Sequence, residues 1–447
     1  MISDTIAACA TAGSPGAISL IRISGPEALA VAGKIFFRKN GETVRKFGNF
    51  KIHYGHLRSG TTVIDEVLLH VMKSPRTFTG EDTVEITCHG GAICRKMILD
   101  LLTENGIRLA EPGEFSRRAF ANGKIDLVKA EAIDELIRAG NEYAYRTALA
   151  QLRGALSSRL QDLKELLMEM TARAEALLDF PEEGIEEVPA DWFMERIRKA
   201  GDDVSQILAG AVFRKVCTEG VFVVIAGPPN AGKSTLFNFL CGSDRAIVDS
   251  TPGTTRDYIE CDTLFNGLPV RLVDTAGLRE AGESAEAKGI GRARILLDGA
   301  DLILLVLSSE NPDWDGFSSY EGKQVLKIVN KIDLTEEASR EGTSGYRISL
   351  KTGEGLADFQ SCLENCLRGF FDRREESAIM VNARQQYELE HARSALSSAG
   401  EMLSQGRTMD LVCSELKQAL FNLRSILGEI TAEDVLDGIF SRFCIGK

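Results

Sequence analysis

A multidomain chain, α/β plus all-α, is predicted by three features: its length, a change in hydrophobic periodicity near residue 119, and a second change near residue 218. At 447 residues the chain exceeds the ~250–300 residues at which a single hydrophobic core stops growing, so two or three domains are expected. The composition, 44% apolar and 26% charged, is that of an ordinary globular protein and excludes a collagenous, low-complexity or wholly disordered chain. Lys and Arg number 52 against 65 Asp and Glu, for a formal net charge of −13. An acidic chain does not coat nucleic acid by charge alone.

The N-terminal segment, residues 1–118, carries period-2 runs such as Thr83-Val84-Glu85-Ile86-Thr87, broken by turn signals such as Ser14-Pro15-Gly16, and reads as an α+β domain. Residues 119–217 change to Ala, Leu, Glu, Lys and Arg, with apolar positions at Leu160, Leu163, Leu167 and Met170. That i, i+3/i+4 recurrence is one face of an amphipathic helix. From Gly220, continuous apolar runs of strand length alternate with helical stretches, the signature of a parallel βαβ sheet, so residues 218–374 form a separate α/β domain. Residues 375–447 return to the helical pattern. The simplest architecture is a discontinuous helical domain, 119–217 and 375–447, interrupted by the α/β domain.

The central aliphatic run Leu302–Leu307 has six residues, far short of the ~18–20 needed to span a bilayer. The opening Met1-Ile2-Ser3-Asp4 lacks the basic residues of a secretory leader. A cytoplasmic protein without a membrane partner is expected. The ten cysteines include no CxxC pair, and with the five histidines they form no set at zinc spacing, so most should be reduced and structural.

Gly227-Pro228-Pro229-Asn230-Ala231-Gly232-Lys233-Ser234 fits G-x-x-x-x-G-K-[ST] between the predicted strand Val221–Ile225 and a helix beginning near Ser234. Such a loop wraps phosphates in backbone N–H groups: Lys233 reaches the outer phosphates, Ser234 offers a hydroxyl to Mg²⁺, and the helix N-terminus, with Thr235 in its first turn, adds partial positive charge. A second strand, Val270–Val273, runs into Asp274-Thr275-Ala276-Gly277. Its carboxylate would hold the Mg²⁺ shell through water, and the Gly277 N–H would meet a γ-phosphate. A third strand, Val325–Val329, runs into Asn330-Lys331-Ile332-Asp333, whose aspartate can accept two N–H bonds from guanine, and Ser349-Leu350-Lys351 can close over the base. The nucleotide is therefore expected to be GTP, and the domain a Ras-like P-loop G domain. In Gly253-Thr254-Thr255-Arg256-Asp257, Thr255 is the expected further Mg²⁺ ligand. The position that carries a water-orienting Gln in small GTPases is Leu278 here; Glu280, Glu283 and Glu286 follow, and spacing alone does not choose among them.

These motifs, with Leu20–Gly25, Phe78-Thr79-Gly80-Glu81-Asp82, Cys88-His89-Gly90-Gly91, Pro112–Ser116, Lys124–Leu127, the Gly253–Asp257 box and the terminal Cys444-Ile445-Gly446-Lys447, resemble the MnmE (TrmE) family of tRNA modification GTPases from end to end. The resemblance implies an N-terminal domain that binds 5-formyltetrahydrofolate and dimerises, a discontinuous helical domain and an inserted G domain. It places the folate against Arg22, Glu81, Lys124 and Lys447, and Cys444 as a catalytic thiol near the one-carbon unit. It implies K⁺ in the GTP site, held by Asn230 with Asp249, Thr251 and Thr254, and it selects Glu286 as the catalytic residue that orients water. The implied reaction adds a carboxymethylaminomethyl or aminomethyl group at C5 of the wobble uridine of certain tRNAs. The implied assembly is a homodimer joined by a flavoprotein partner, MnmG, in a heterotetramer; a flavin would come from that partner, since no dinucleotide-binding glycine fingerprint occurs here. The alternative is a ribosome-assembly or signalling GTPase switch without one-carbon chemistry, which would leave the terminal Cys-Ile-Gly-Lys unexplained.

Overall fold

A computed structural model describes residues 4–14, 16–38, 44–179, 189–242, 259–275, 294–310, 323–334, 345–375 and 379–447. The chain divides into two compact units: Met1–Asp134 with Leu152–Glu165 and Leu420–Lys447, and Glu135–Gln151 with Leu166–Ala419.

The first unit contains β1 (Ile6–Cys9), β2 (Ile18–Ser24), β3 (Phe36–Phe37), β4 (Lys51–Ser59), β5 (Thr62–Met72), β6 (Thr83–His89) and β7 (Arg108–Leu109). They form one sheet in the order β3-β4-β5-β6-β2-β1-β7, antiparallel except for the β1–β7 pair. Alternation places Ile21, Ile23, Val84, Ile86, Leu69 and Val71 in the core under α1 (Ala28–Ile35) and α2 (Ala92–Glu104). The β2–β6 register sets Arg22 opposite Glu85. Next come α3 (Glu114–Ala121) and α4 (Leu127–Arg138).

The second unit holds β8 (Val221–Ala226), β9 (Ile259–Phe265), β10 (Leu268–Asp274), β11 (Leu302–Ser308), β12 (Gln324–Asn330) and β13 (Tyr346–Arg347), in the order β13-β12-β11-β8-β10-β9. All pairs are parallel except β9–β10. β8 and β11 are buried on both faces, which accounts for their continuous apolar runs. The helices α5 (Glu142–Leu152), α6 (Ala155–Asp179) and α7 (Ala190–Glu219) precede β8; α8 (Lys233–Cys241) follows it, and α9 (Leu356–Glu375), α10 (Ala383–Ser404), α11 (Met409–Leu427) and α12 (Glu433–Phe440) complete the chain. α10 starts at a capping box in which Asn382 and Gln385 satisfy each other's backbone N–H. In the first unit, Phe440 of α12 and Phe443 pack on Leu127, Ala130 and Ile133. No helix among the described residues is long and apolar enough to cross a membrane.

Candidate functional site

Two sites emerge, one in each unit. In the second unit, β8 delivers the chain into the loop Gly227–Gly232 and α8 begins at Lys233. Gly227 has φ +143°, and a Cβ there would lie 2.0 Å from the Val306 carbonyl oxygen of β11; at Gly232, φ is +100° and a Cβ would lie 2.1 Å from Asn330 Nδ2. Both positions require glycine, because the loop must turn in the left-handed region while touching backbone or side chain. Asn230 also sits at positive φ, +61°, which asparagine tolerates better than most residues. The loop thereby turns from the end of β8 into the N-terminus of α8, where free backbone N–H groups of a helix start favour an anion.

Lys233 is buried, and its Nζ donates to the Pro228 carbonyl at 2.8 Å, so the ammonium lies folded over the loop. Ser234 Oγ donates to Asp274 Oδ2 at 2.7 Å. Asp274 is fully buried at the end of β10, in register with Ile225 of β8, and the Thr275 hydroxyl donates to the Ile225 carbonyl at 2.9 Å. The two strands therefore bring together a hydroxyl and a carboxylate that lie 40 positions apart in sequence. At the other end, Asn330 Nδ2 donates to the Ala231 carbonyl at 3.0 Å while its Oδ1 accepts from the Leu350 N–H at 3.2 Å. One amide thus ties the loop to the segment after β13. Lys331 takes positive φ, +66°, and its carbonyl accepts from the Ser309 hydroxyl. Asp333 Oδ1 accepts from Ser349 Oγ at 2.7 Å, and this hydroxyl holds the half-buried carboxyl below its ordinary range. Lys351 follows directly. Of the remaining predicted residues, Asp249, Thr251, Thr254, Thr255, Ala276, Gly277 and Glu286 lie outside the described residues, as do Leu278, Glu280 and Glu283.

In the first unit the sequence singles out Arg22, Glu81, Lys124, Lys447 and Cys444. Arg22 on β2 forms an ion pair with Glu85 at 2.8 Å, donates to the Gly446 carbonyl at 3.2 Å, and stacks 5.7 Å from the Phe115 ring centroid. Arg22 and the C-terminal tail therefore meet. The tail is fixed by three further contacts: Phe115 N–H donates to the Lys447 carbonyl at 3.1 Å, Pro112 bridges Ile445, and Gly446 (φ +94°) approaches so closely that a Cβ would lie 2.7 Å from the Cys9 carbonyl oxygen. Cys444 is exposed on this tail. Glu81 accepts from Ser24 Oγ at 2.7 Å, and the Lys124 side chain lies along neighbouring Gly80, where a Cβ would sit 2.9 Å from Lys124 Cε.

Sequence reasoning missed the residue at the centre of this region. Arg118, fully buried on α3, donates to Asp4 Oδ1 at 2.7 Å, to Glu114 Oε1 at 2.9 Å, and to both Glu81 oxygens at 3.3 and 3.4 Å. Arg108 adds contacts to Asp4 and Glu114. Burial pushes the Glu114 carboxyl up, but hydrogen bonds from Arg108, the Glu111 N–H and Arg118 outweigh it and leave it below the ordinary range. The i, i+4 spacing of Glu114 and Arg118 is visible in the sequence, but it marks a helix-face pair and not a buried one.

Comparison with known proteins matches residues 5–124 to the GTP-binding protein TrmE N-terminus and residues 127–444 to the MnmE helical domain. The tRNA modification GTPase MnmE of Chlorobium phaeobacteroides is 40% identical over 99% of this chain and 97% of that protein. Its namesake in Thermoanaerobacter pseudethanolicus is 38% identical over 100% of both. Among solved structures the chain is similar to the G domain of the T. maritima FeoB iron transporter, with 28% identity over 34% of this chain and 99% of that one, at a TM-score of 0.25. With both family models covering nearly its whole length and full-length relatives at this identity, the chain belongs to the MnmE (TrmE) family of tRNA modification GTPases.

Proposed function

We propose that this chain hydrolyses GTP to GDP to drive modification of tRNA, adding a carboxymethylaminomethyl or aminomethyl group at C5 of the wobble uridine together with the flavoprotein partner MnmG. The observation that carries the reading is the joining, in one chain, of the Ser234–Asp274 and Asn330–Ala231 contacts to sequence that matches the TrmE N-terminal and MnmE helical models. The proposed domains are 1–118, 119–217 with 375–447, and 218–374.

In the nucleotide site the loop N–H groups and Lys233 would hold the phosphates, and Lys233 would exchange the Pro228 carbonyl for a phosphate oxygen. Asp333, steadied by Ser349, would accept the two N–H groups that guanine presents and adenine lacks. The donor set fits Mg²⁺, since an oxygen from Ser234 lies against the buried Asp274 carboxylate. Ser234 and Thr255 would hold that ion, with Asp274 acting through water. Asn230, Asp249, Thr251 and Thr254 would hold K⁺, and Glu286 would orient the attacking water. When bound, the two cations supply positive charge to the phosphoryl oxygens.

At the N-terminal site the charges fit a folate: Glu81 as acceptor for pterin N–H groups, and Arg22, Lys124 and Lys447 as cations for the glutamate tail. Cys444, exposed on the tail that carries Lys447, would serve the one-carbon chemistry. The family's homodimer and a cytoplasmic location belong to the same reading.

The test is nucleoside mass spectrometry of tRNA from cells depleted of the protein and complemented with wild type or Cys444→Ser. Loss of C5-aminomethyl-type wobble uridines on depletion and recovery with wild type is the expected result, and the variant reports on the thiol. An unchanged nucleoside profile would favour the assembly-switch alternative.

A further inference from the structure

Linear spacing shows no zinc pattern among the cysteines and histidines, yet the first unit gathers four metal-ligating side chains at one place. Asp65 on β5, Cys88 at the end of β6 and Cys94 in the first turn of α2 have ligand atoms within 4.8 Å of one another. The Asp65 side chain is 10% exposed and Cys88 is 2% exposed, with Cys94 half-buried. Asp65 Oδ2 accepts from the Cys94 thiol at 3.2 Å and from the His89 N–H at 2.9 Å. Its Oδ1 accepts from the Glu66 N–H at 2.9 Å and lies 2.6 Å from His89 Nδ1.

The surroundings are held in place. Arg95, buried next to Cys94, donates to the carbonyls of Gly13 at 2.6 Å, Gly90 at 3.2 Å and Ser14 at 3.3 Å, fixing the turn between β6 and α2 against the loop before β2.

We propose that Asp65 Oδ2, Cys88 Sγ and Cys94 Sγ form a zinc site, with water in the fourth position. Two thiolates and a carboxylate are a zinc donor set. With Zn–S of about 2.3 Å and Zn–O of about 2.1 Å, a tetrahedral angle needs roughly 3.6 Å between sulfur and oxygen, so the present 3.2 Å contact must open by only ~0.4 Å. The Cys94 thiol proton now occupies the line between sulfur and oxygen that the cation would take over. On binding, the two thiols release their protons to water, and both the backbone N–H groups and His89 stay on the carboxylate. His89 becomes the outer partner that orients a ligating carboxylate. The ion would tie β5, β6 and α2 together at the end of the sheet.

The test takes the full-length protein, reduced and stripped with a chelator, and titrates it with Zn²⁺ against a chromophoric chelator and with Co²⁺ by absorption. Wild type is expected to bind one ion more per chain than Cys94→Ser, and to show a thiolate-to-Co²⁺ charge-transfer band that is lost in both Cys94→Ser and Asp65→Asn. His89→Ala should keep the band and weaken affinity by about 10–100-fold. Unchanged circular dichroism and GTP hydrolysis in Cys94→Ser would show that lost binding is not lost folding. Equal stoichiometry in wild type and Cys94→Ser, or a band that survives both substitutions, overturns the site. Recovery of Cys88 and Cys94 as a disulfide-linked peptide pair from protein that takes up no zinc also overturns it.

Discussion

The phosphate-loop region and the charged region of the N-terminal unit position their polar groups by opposite means. The first is built from backbone: left-handed turns at Gly227, Asn230, Gly232 and Lys331 place N–H groups and short side chains, and its carboxylate Asp333 is half-buried beside Ser349. The second is built from buried side-chain charge, with Arg118 joining Asp4, Glu81 and Glu114 across elements far apart in sequence. A backbone site tolerates loss of one side chain without collapse, because the fold does not depend on it. A buried ionic hub does not, because removing Arg118 takes the guanidinium from the largely buried Glu81 and Glu114 and leaves Arg108 alone to pair with Glu114 and Asp4.

The largest expected effect therefore falls in the N-terminal unit. Arg118→Met should cost about 3–5 kcal/mol of stability, read from urea unfolding of the full chain, and a loss below about 1 kcal/mol would break the contrast. Lys233→Ala comes next: hydrolysis should fall about 10²–10³-fold, or ~2.7–4 kcal/mol in the barrier, with the urea midpoint unmoved. A midpoint shift as large as that of Arg118→Met would show that the loop lysine holds the fold as well as the ligand. For Asp333→Asn, loss of a charged acceptor should weaken GTP binding by roughly 10–100-fold and turn preference toward a xanthine nucleotide in competition binding. Unchanged GTP affinity would remove the base-reading role.

The smallest effect concerns protons. Glu114 is held below its ordinary value in the folded state, so its contribution is present above the unfolded value, about 4.3, and is lost as pH falls through the folded one. Melting temperature should drop on acidification from pH 5 through that window, and Glu114→Gln should show a shallower drop from a lower start. Equal slopes in the two proteins would assign the acid sensitivity elsewhere.

The same contrast explains what was legible in the sequence. Phosphate and base motifs are contiguous because a backbone turn and its flanking strand must be adjacent in the chain, so Gly227–Ser234, Asp274 and Asn330–Asp333 were readable from spacing and hydrophobic pattern. β8 and β12 run one residue beyond the predicted strands at one or both ends, and β10 runs two residues beyond at its start and one at its end, since pairing with a neighbour outlasts the apolar run. Arg118 was not legible. Its partners lie up to 114 positions away, and nothing local marks an arginine in an amphipathic helix as buried. The Ser349–Asp333 hydrogen bond was equally hidden, although both residues were assigned to the site, because the turn after β13 sets it. The Asp65–Cys88–Cys94 group is a third case, assembled by sheet order where linear spacing shows only scattered cysteines.

The docking of the tail on the N-terminal sheet has a consequence in time. Arg22 is synthesised 424 positions before the carbonyl it bonds in Gly446, and at roughly 5–20 residues per second the ribosome takes about 20–85 s to cover that distance. Throughout that interval the Phe115 N–H lacks the Lys447 carbonyl, and Leu127 and Ile133 lack the aromatic rings of Phe440 and Phe443. The first unit begun on the ribosome is thus among the last to close, and a nascent chain stalled before α12 would present an open apolar seam to chaperones while its G domain is already fully translated.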